Sequence, residues 1–244
     1  MDYGQFVEQC EHIIHQLEDL IDPELNHRLL GIQERLISDR LNILVIGEFS
    51  RGKSSLINGM LGEIVLPSKI NPTTATINIL QGGPRGANII FRDGNEQMLT
   101  LPDKKVSSFL SQYVSVKNDN AEEIQEVHIS IPGPLEKLRA NIVDTPGVND
   151  LDQAREETTF GYLRKADAAI LLLDAHQPLS ESECIFLKDK VFGSDVERII
   201  FAVNKIDDLD DDSSVERIIA YVHKRLFEHL NLKDAHVFGI SARS

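Results

Sequence analysis

The segment that most constrains the fold is a glycine-containing loop between an apolar run and a helical pattern. Residues 41–47, LNILVIG, form a short apolar run ending in glycine, which is typical of a buried strand. The next residues complete the pattern G-x-x-x-x-G-K-[ST] between Gly47 and Ser54. In such a loop the backbone N–H groups turn inward around phosphate groups, and the following helix adds its partial positive charge. The sequence therefore predicts a phosphate-binding strand–loop–helix unit.

This loop and the first turn of the helix supply the predicted phosphate contacts. We expect the nucleotide to be bound there by Glu48, Phe49, Ser50, Arg51, Gly52, Lys53, Ser54 and Ser55. The Lys53 ammonium would reach the β- and γ-phosphates, and the Ser54 hydroxyl would ligate Mg²⁺. The alternative is a strand–helix turn whose lysine is simply exposed, which the flanking strand and helix patterns disfavour.

A second motif predicts which base is bound. Asn204-Lys205-Ile206-Asp207 follows the apolar run IIFAV, at the edge where an open α/β sheet presents its ligand site. The Asp207 carboxylate can accept hydrogen bonds from the ring N–H and the exocyclic amine of guanine, whereas adenine offers a mismatched pattern. Sites of this kind can discriminate by roughly 10⁴–10⁵. We expect Lys205 to lie over the base and Asn204 to brace the phosphate loop.

Two further motifs follow strand patterns. Asp144-Thr145-Pro146-Gly147 follows ANIV, and Asp144 suits the magnesium carboxylate. The Gly147 backbone N–H would donate a hydrogen bond to the γ-phosphate, so the conformation of this loop would respond to GTP hydrolysis. Ser241-Ala242 follows HVFGI, and its backbone N–H groups are expected to contact the guanine oxygen.

A threonine between the phosphate loop and Asp144 should close over the magnesium ion and the γ-phosphate. Pro72-Thr73-Thr74-Ala75 is the best candidate segment because it precedes a strand pattern. We prefer Thr74 as the magnesium ligand, with Thr73 still open. A threonine that merely belongs to a turn is the alternative.

The catalytic apparatus lacks a water-orienting side chain directly after the D-x-x-G motif. Residue 148 is Val, which cannot hydrogen-bond a water, so another group must stabilise the transition state. Arg51 could act as an internal cation, although we expect its side chain to point to solvent. The Ser50 hydroxyl and nearby carbonyls could instead hold K⁺ or Na⁺. The predicted catalytic set is Ser50, Lys53, Thr74 and Gly147.

Apolar periodicity outlines the rest of the chain. Residues 1–40 carry apolar residues at helical spacing, including Phe6, Cys10, Ile13 and Leu17. From residue 41 onward, strand patterns at 75–80, 88–91, 127–131, 141–144, 168–174, 199–203 and 236–240 alternate with helix patterns at 53–61, 152–165, 180–191 and 214–230. This order predicts an α/β fold with a mainly parallel sheet flanked by helices. The glycine-rich stretch Gln81–Gly86 predicts a hairpin turn.

Composition limits the partners and the compartment. The net charge of −14, without a basic patch, argues against nucleic acid as a partner. The longest apolar run, 168–173, is far shorter than the roughly 20 residues of a membrane span. The N-terminus lacks a secretory signal pattern. Cys10 and Cys184 have no metal-like spacing and suggest reduced thiols in the cytoplasm, although they could also pair.

The quoted motifs together resemble the dynamin superfamily, and most closely the bacterial dynamin-like proteins. The segments that carry the resemblance are GEFSRGKSSLINGMLG, NPTTA, DTPGVND, LLDAHQPLSESE and NKID. It implies a large GTPase that cleaves the β–γ phosphoanhydride of GTP and whose heads dimerise across their nucleotide faces, which stimulates hydrolysis. It also implies that the serine at position 50 helps to hold the charge-compensating cation.

The resemblance further implies coupling to membrane remodelling through helical bundles. Residues 1–40 would then be a helical neck or bundle segment and residues 41–244 the GTPase domain, with membrane contact made only through parts absent from this chain. We expect a cytoplasmic protein, in some states peripheral to a membrane. Segment Asp174–Glu183 could either cross the dimer interface or cap a helix. Two alternatives to the hydrolase are a nucleotide-gated interaction module with negligible hydrolysis and an Era-like ribosome-associated GTPase.

Overall fold

The chain divides into two compact units, residues 1–41 and 42–244. The computed structural model describes residues 3–17, 22, 25, 29, 33, 40–67, 76–114, 123–146, 161–163, 165–192, 196 and 198–243. In the first unit, helix α1 spans Tyr3–Leu17. Ile14 is its buried apolar residue, whereas Phe6 and Ile13 are exposed. The buried side of this helix therefore does not coincide with the expected apolar stripe, of which Phe6 and Ile13 were members.

The second unit contains one mixed sheet, which comprises nine strands among the described residues. Its strands are β1 (Leu41–Ile46), β2 (Ile77–Gly82), β3 (Gly86–Phe91), β4 (Glu96–Leu99), β5 (Ile124–Ile131), β6 (Ala140–Asp144), β7 (Ala168–Asp174), β8 (Ile199–Asn204) and β9 (His236–Gly239). The described helices of this unit are α2 (Lys53–Leu61), α3 (Val106–Val114), α4 (Pro134–Leu138), α5 (Glu181–Phe186) and α6 (Asp212–Leu230). A π-helical turn, Leu187–Val191, continues α5. The α/β class is confirmed.

The sheet is parallel on one side and largely antiparallel on the other. The strand order is β4-β3-β5-β2-β6-β1-β7-β8-β9. β7 pairs in parallel with β1 and β8, and β8 in parallel with β9. β2 is parallel to β5 but antiparallel to β6, and β3 is antiparallel to both β4 and β5. Four strands of the parallel side therefore end at one edge of the sheet.

The predicted hairpin at Gln81–Gly86 is wrong. β2 and β3 are not paired with each other, because β5 lies between them and bonds to both. Residues 83–85 instead cross over the end of β5, a distance of two strand spacings of about 4.8 Å each. Turn residues mark where a chain changes direction, but they carry no information about a later strand that inserts between the two they connect.

The core consists of two apolar clusters on opposite faces of the sheet. Consecutive residues of a strand point to opposite faces, and along β1 Leu44 and Ile46 belong to one cluster while Val45 belongs to the other. β7 repeats this arrangement, with Leu171 and Leu172 divided between the clusters. Burial on both faces explains why these strands are continuous apolar runs.

Two predicted features fall wholly or largely outside the described residues. The helix expected at 152–165 is described only at residues 161–163, which are helical, and at 165. The threonine segment at 72–75 is not described. Within the described parts of the chain, every helix is too short or too polar to cross a bilayer.

Candidate functional site

The carboxyl ends of the four parallel strands bring the predicted motifs to one edge of the sheet. Gly47 follows β1, Asp174 ends β7, Asn204 ends β8 and Ser241 lies just beyond β9. In open α/β sheets this edge is where ligands bind. The motifs are distant in sequence, and parallel pairing brings them together.

The phosphate loop needs its two glycines for different close contacts. Gly47 has φ +153°, and a Cβ there would lie 2.7 Å from the carbonyl oxygen of Leu172 on β7. Gly52 has φ +94°, and its Cβ would lie 2.5 Å from the Asn204 Nδ2 atom. Both distances are shorter than real Cβ contacts allow. The loop therefore lies tightly against β7 and the end of β8.

Lys53 is folded over the loop that precedes it. Its Nζ atom donates hydrogen bonds to the carbonyl oxygens of Gly47, at 2.8 Å, and Glu48, at 3.1 Å. α2 begins at Lys53, and its N-cap, Gly52, has no side chain with which to cap the helix. The first N–H groups of α2 therefore have no side-chain cap, and a bound anion would satisfy them.

Asn204 joins the phosphate loop to the last motif. Its side chain is buried, at 3% exposure. The Nδ2 atom donates to the Arg51 carbonyl oxygen at 2.8 Å, and the Oδ1 atom accepts from the Ala242 backbone N–H at 2.9 Å. One amide thus connects the loop after β1 with the segment after β9.

Asp144 is a buried carboxylate close to Lys53. Burial raises its pKa to about 6, while the charge of Lys53 and a hydrogen bond from Asn78 act in the opposite direction. Its Oδ1 atom is buried without a hydrogen-bond partner among the described residues. A buried carboxylate oxygen in need of a positive partner fits a Mg²⁺ ion or a water bound to it.

Asp207 lies in a short 3₁₀ turn, Ile206–Asp208, just after β8. A hydrogen bond from Ser241 is the main cause of its lowered pKa, and Arg243 adds to the effect. The Arg243 Nη1 atom lies 2.9 Å from the Asp207 Oδ2 atom and 2.8 Å from the Asp208 Oδ1 atom. Arg243 was not among the predicted site residues, although its place directly after Ser241-Ala242 was a usable signal.

Lys205 also has a partner in the structure. Its backbone is left-handed, at φ +68°, and its Nζ atom lies 2.5 Å from the Asp174 Oδ2 atom. Burial alone would raise the pKa of Asp174, but hydrogen bonds from Lys205 and His176 outweigh it and lower the pKa to about 2. The ammonium is therefore held at the end of β7.

The expectation that Arg51 points to solvent is wrong. Its side chain is only 11% exposed and lies among the carboxylates of Glu48, Asp174 and Glu183. The local sequence around Arg51 could not predict this burial, because the three acidic residues come from three separate elements of the fold. The role of Glu183 was also missed, although the S-x-x-E pattern of a capping box was visible at Ser180–Glu183.

Segment Asp174–Glu183 caps a helix, as one of its two interpretations held. The Ser180 side chain accepts from the Glu183 N–H while the Glu183 side chain accepts from the Ser180 N–H, which forms a complete capping box for α5. A contact across a dimer stays a prediction.

Several predicted site residues fall outside the described chain. They are Thr73, Thr74 and Gly147, and Val148, which stands in place of a water-orienting glutamine, also lies outside the described chain. Ser50 is described: it is exposed and has a left-handed backbone, at φ +61°. Ser54 and Ser55 lie in the first turn of α2.

The fold and the phosphate loop define a P-loop GTPase domain. The model of the dynamin family matches residues 43–206, and the chain belongs to that family. A solved structure of an oligomerised bacterial dynamin pair has the same fold, with a TM-score of 0.67 and 24% identity over 98% of this chain and 36% of that chain. The predicted resemblance is thereby confirmed.

Two curated relatives match at similar levels. The chain is 28% identical over 240 residues to an uncharacterised protein from the xynA 3′ region of a Caldicellulosiruptor species, covering 98% of this chain and 57% of the relative. It is 29% identical over 223 residues to a bacterial dynamin-like protein of Nostoc punctiforme, covering 82% of this chain and 32% of the relative. The chain therefore spans between about a third and somewhat over half of their length.

Proposed function

We propose that this chain binds guanine nucleotide with magnesium and hydrolyses GTP at the β–γ phosphoanhydride. The observation that carries the proposal is the Asn204 amide, which connects the loop expected to bind phosphates with the segment expected to bind the base. Membership of the dynamin family supports the activity. Neither motif alone would distinguish a nucleotide site from an ordinary turn.

The phosphate side of the site would use groups that already face one another. Lys53 would exchange its two loop carbonyl partners for the β- and γ-phosphates, and the backbone N–H groups of the loop would bind the same oxygens. Ser54, Asp144 and either Thr74 or Thr73 would hold Mg²⁺. The ion would supply charge neutralisation on the β- and γ-phosphates.

The base side of the site would exchange one set of donors for another. Asp207 now accepts from Ser241 and Arg243, and guanine offers the same kind of paired N–H donors as a guanidinium. Entry of the base would displace Arg243 from the carboxylate. Lys205 would cover the base, and the backbone N–H groups of Ser241 and Ala242 would bind its oxygen.

Hydrolysis would rely on Ser50 and Gly147 rather than on a glutamine. Val148 cannot orient a water, so the Ser50 hydroxyl with K⁺ or Na⁺ would compensate the charge that develops in the transition state. The Gly147 N–H would contact the γ-phosphate. Two heads meeting at their nucleotide faces would complete this apparatus and stimulate turnover.

In the whole protein we propose that this cycle drives membrane remodelling. Residues 1–40 would serve as a helical neck or bundle segment and residues 41–244 as the head, located at the periphery of a membrane. The net charge of −14 and the family match favour this over an Era-like role on ribosomal RNA.

Asp207 provides the sharpest test of base selection. The D207N variant replaces one carboxylate oxygen, an acceptor, by an amide N–H donor. Xanthine has a carbonyl where guanine has its amine, and that carbonyl can accept a hydrogen bond from this donor. We expect wild-type protein to prefer GDP over ADP and XDP, and D207N to prefer XDP. Asp208, which also contacts Arg243, offers the matched control D208N, which should keep the guanine preference. Equal affinity of the wild type for GDP and ADP would disprove the proposal.

Hydrolysis is tested separately by single-turnover kinetics at rising protein concentration. A rate per molecule that rises with concentration supports stimulation by dimerisation. Binding of GTP without hydrolysis at any concentration, in K⁺ or Na⁺ buffer, would instead favour the nucleotide-gated interaction module. Replacement of both ions by a large organic cation should slow turnover if Ser50 holds a cation.

A further inference from the structure

The Arg51 guanidinium is held by carboxylates from three different elements. Its Nε atom lies 3.2 Å from the Glu183 Oε1 atom in the first turn of α5. One Nη atom lies 3.6 Å from the Asp174 Oδ2 atom at the end of β7, and the other pairs with Glu48 of the loop itself. Glu183 is fully buried, at 0% exposure, so this pairing is shielded from solvent and from salt.

The start of α5 also reaches the loop through a second set of contacts. The Glu48 Oε1 atom accepts hydrogen bonds from the Ser180 hydroxyl at 3.2 Å and the Ser182 hydroxyl at 2.5 Å. The segment that caps α5 thus holds two charged side chains of the phosphate loop, Glu48 directly and Arg51 through Glu183.

The backbone around Arg51 needs such support. Ser50 and Gly52, on either side of it, both have left-handed backbones, at φ +61° and φ +94°. Glycine adopts this conformation without strain, but at Ser50 it persists only where the surroundings enforce it. Asn204 holds the Arg51 carbonyl oxygen at 2.8 Å, and the carboxylates hold its side chain. Arg51 is therefore fixed at both ends.

Arg51 also balances charge beside the phosphate site. Among the described residues, the ion pairs of this cluster join the three carboxylates of Glu48, Asp174 and Glu183 to the cations Arg51 and Lys205, and His176 also contacts Asp174. Loss of Arg51 would leave a buried carboxylate without its cation and add negative charge near an anionic ligand. Removing one partner of a buried pair costs far more than removing both.

We propose that Arg51 and Glu183 form a positioning pair, in which Glu183 holds the Arg51 guanidinium and thereby keeps the phosphate loop in its phosphate-binding conformation. The inference rests on the proposed nucleotide function and assigns to segment Asp174–Glu183 a task within its own chain. Neither residue is a catalytic group, since each acts through the backbone of the loop.

The test compares ligands with and without phosphates. Wild type, R51M, E183Q and the double variant are titrated with GDP and with guanosine, at equal Mg²⁺. Glutamine still completes a capping box, so E183Q removes the charge but keeps the start of α5. We expect R51M to weaken GDP binding by about tenfold or more and E183Q by several-fold, with guanosine affinity unchanged within about twofold. The double variant should lose no more GDP affinity than R51M, because the effects of substitutions at two contacting residues are not additive.

A matched control is available in another ion pair of the domain. Arg85 and Glu63 pair through two contacts, at 2.9 and 2.8 Å, and their side chains are more exposed, at 24% and 27%, than those of Arg51 and Glu183. R85M should leave the ratio of GDP to guanosine affinity at its wild-type value, whatever it does to the melting temperature. Thermal unfolding of every variant reports folding independently, and E183Q carries the test if R51M does not fold.

The outcomes separate the two proposals. If the wild type binds no guanine nucleotide, the proposed function fails and this inference fails with it. If the wild type binds GDP tightly but R51M and E183Q bind it equally well, the positioning role alone is refuted. Equal loss of GDP and guanosine affinity would also refute it, because that pattern indicates general destabilisation.

Discussion

Asn204 offers the most direct test of how the site is assembled. The amide uses both of its ends, donating to the Arg51 carbonyl oxygen at 2.8 Å and accepting from the Ala242 N–H at 2.9 Å. The substitution N204A removes both hydrogen bonds and leaves two sheltered backbone groups without these partners.

The magnitude follows from the two contacts. A hydrogen bond contributes about 0.5–1.5 kcal/mol net, and a buried group left unsatisfied costs about 1–3 kcal/mol. Because both bonds are only partly buried, we take the lower part of this range and expect a loss of about 2–3 kcal/mol. If the loss falls on the nucleotide-binding conformation, GDP affinity drops by roughly 30- to 150-fold.

The variant N204D separates the two contacts. Its carboxylate can still accept from the Ala242 N–H, but it has no donor for the Arg51 carbonyl and repels that oxygen. We expect N204D to keep the segment after β9 in place and to lose GDP affinity through the phosphate loop. Urea unfolding measures stability, and titration with labelled GDP measures affinity. If N204A behaved as wild type in both assays, or if N204D bound GDP normally, the bridging role would be refuted.

Two further predictions concern Asp144 and Gly47. Since burial raises the pKa of Asp144 from 3.8 to about 6, stability of the metal-free protein should fall as pH rises between these values. Melting curves of D144N should not show this fall in stability with pH. Parallel pH profiles of stability for the wild type and D144N would contradict the prediction. The substitution G47A places a Cβ 2.7 Å from the Leu172 carbonyl oxygen and should lower unfolding free energy by at least about 1 kcal/mol in urea. The control G59A adds a Cβ with open space around it in α2 and should raise stability by about 0.5–1 kcal/mol, so equal effects of the two substitutions would exclude the steric argument.

Much of the local architecture could be predicted because its signals lie within short segments. β7 was predicted with its observed bounds, and α2 likewise, since apolar runs and the glycine loop report on burial and turns locally. β4 and α3 were missed because Glu96–Leu99 is largely exposed and has no apolar face, and α3 is a short helix outside any motif.

The sequence by itself determined the family, the phosphate loop and the motif expected to select guanine, because each depends on residue types at fixed local spacing. Only the tertiary structure decided that β5 inserts between β2 and β3, that Arg51 turns inward, and that Arg243 pairs with Asp207. These features depend on which distant carboxylates and strands the parallel sheet brings to one edge. A charge in a sequence carries no record of its partner, so the ion pairs that hold this site become visible only once the strands are placed side by side.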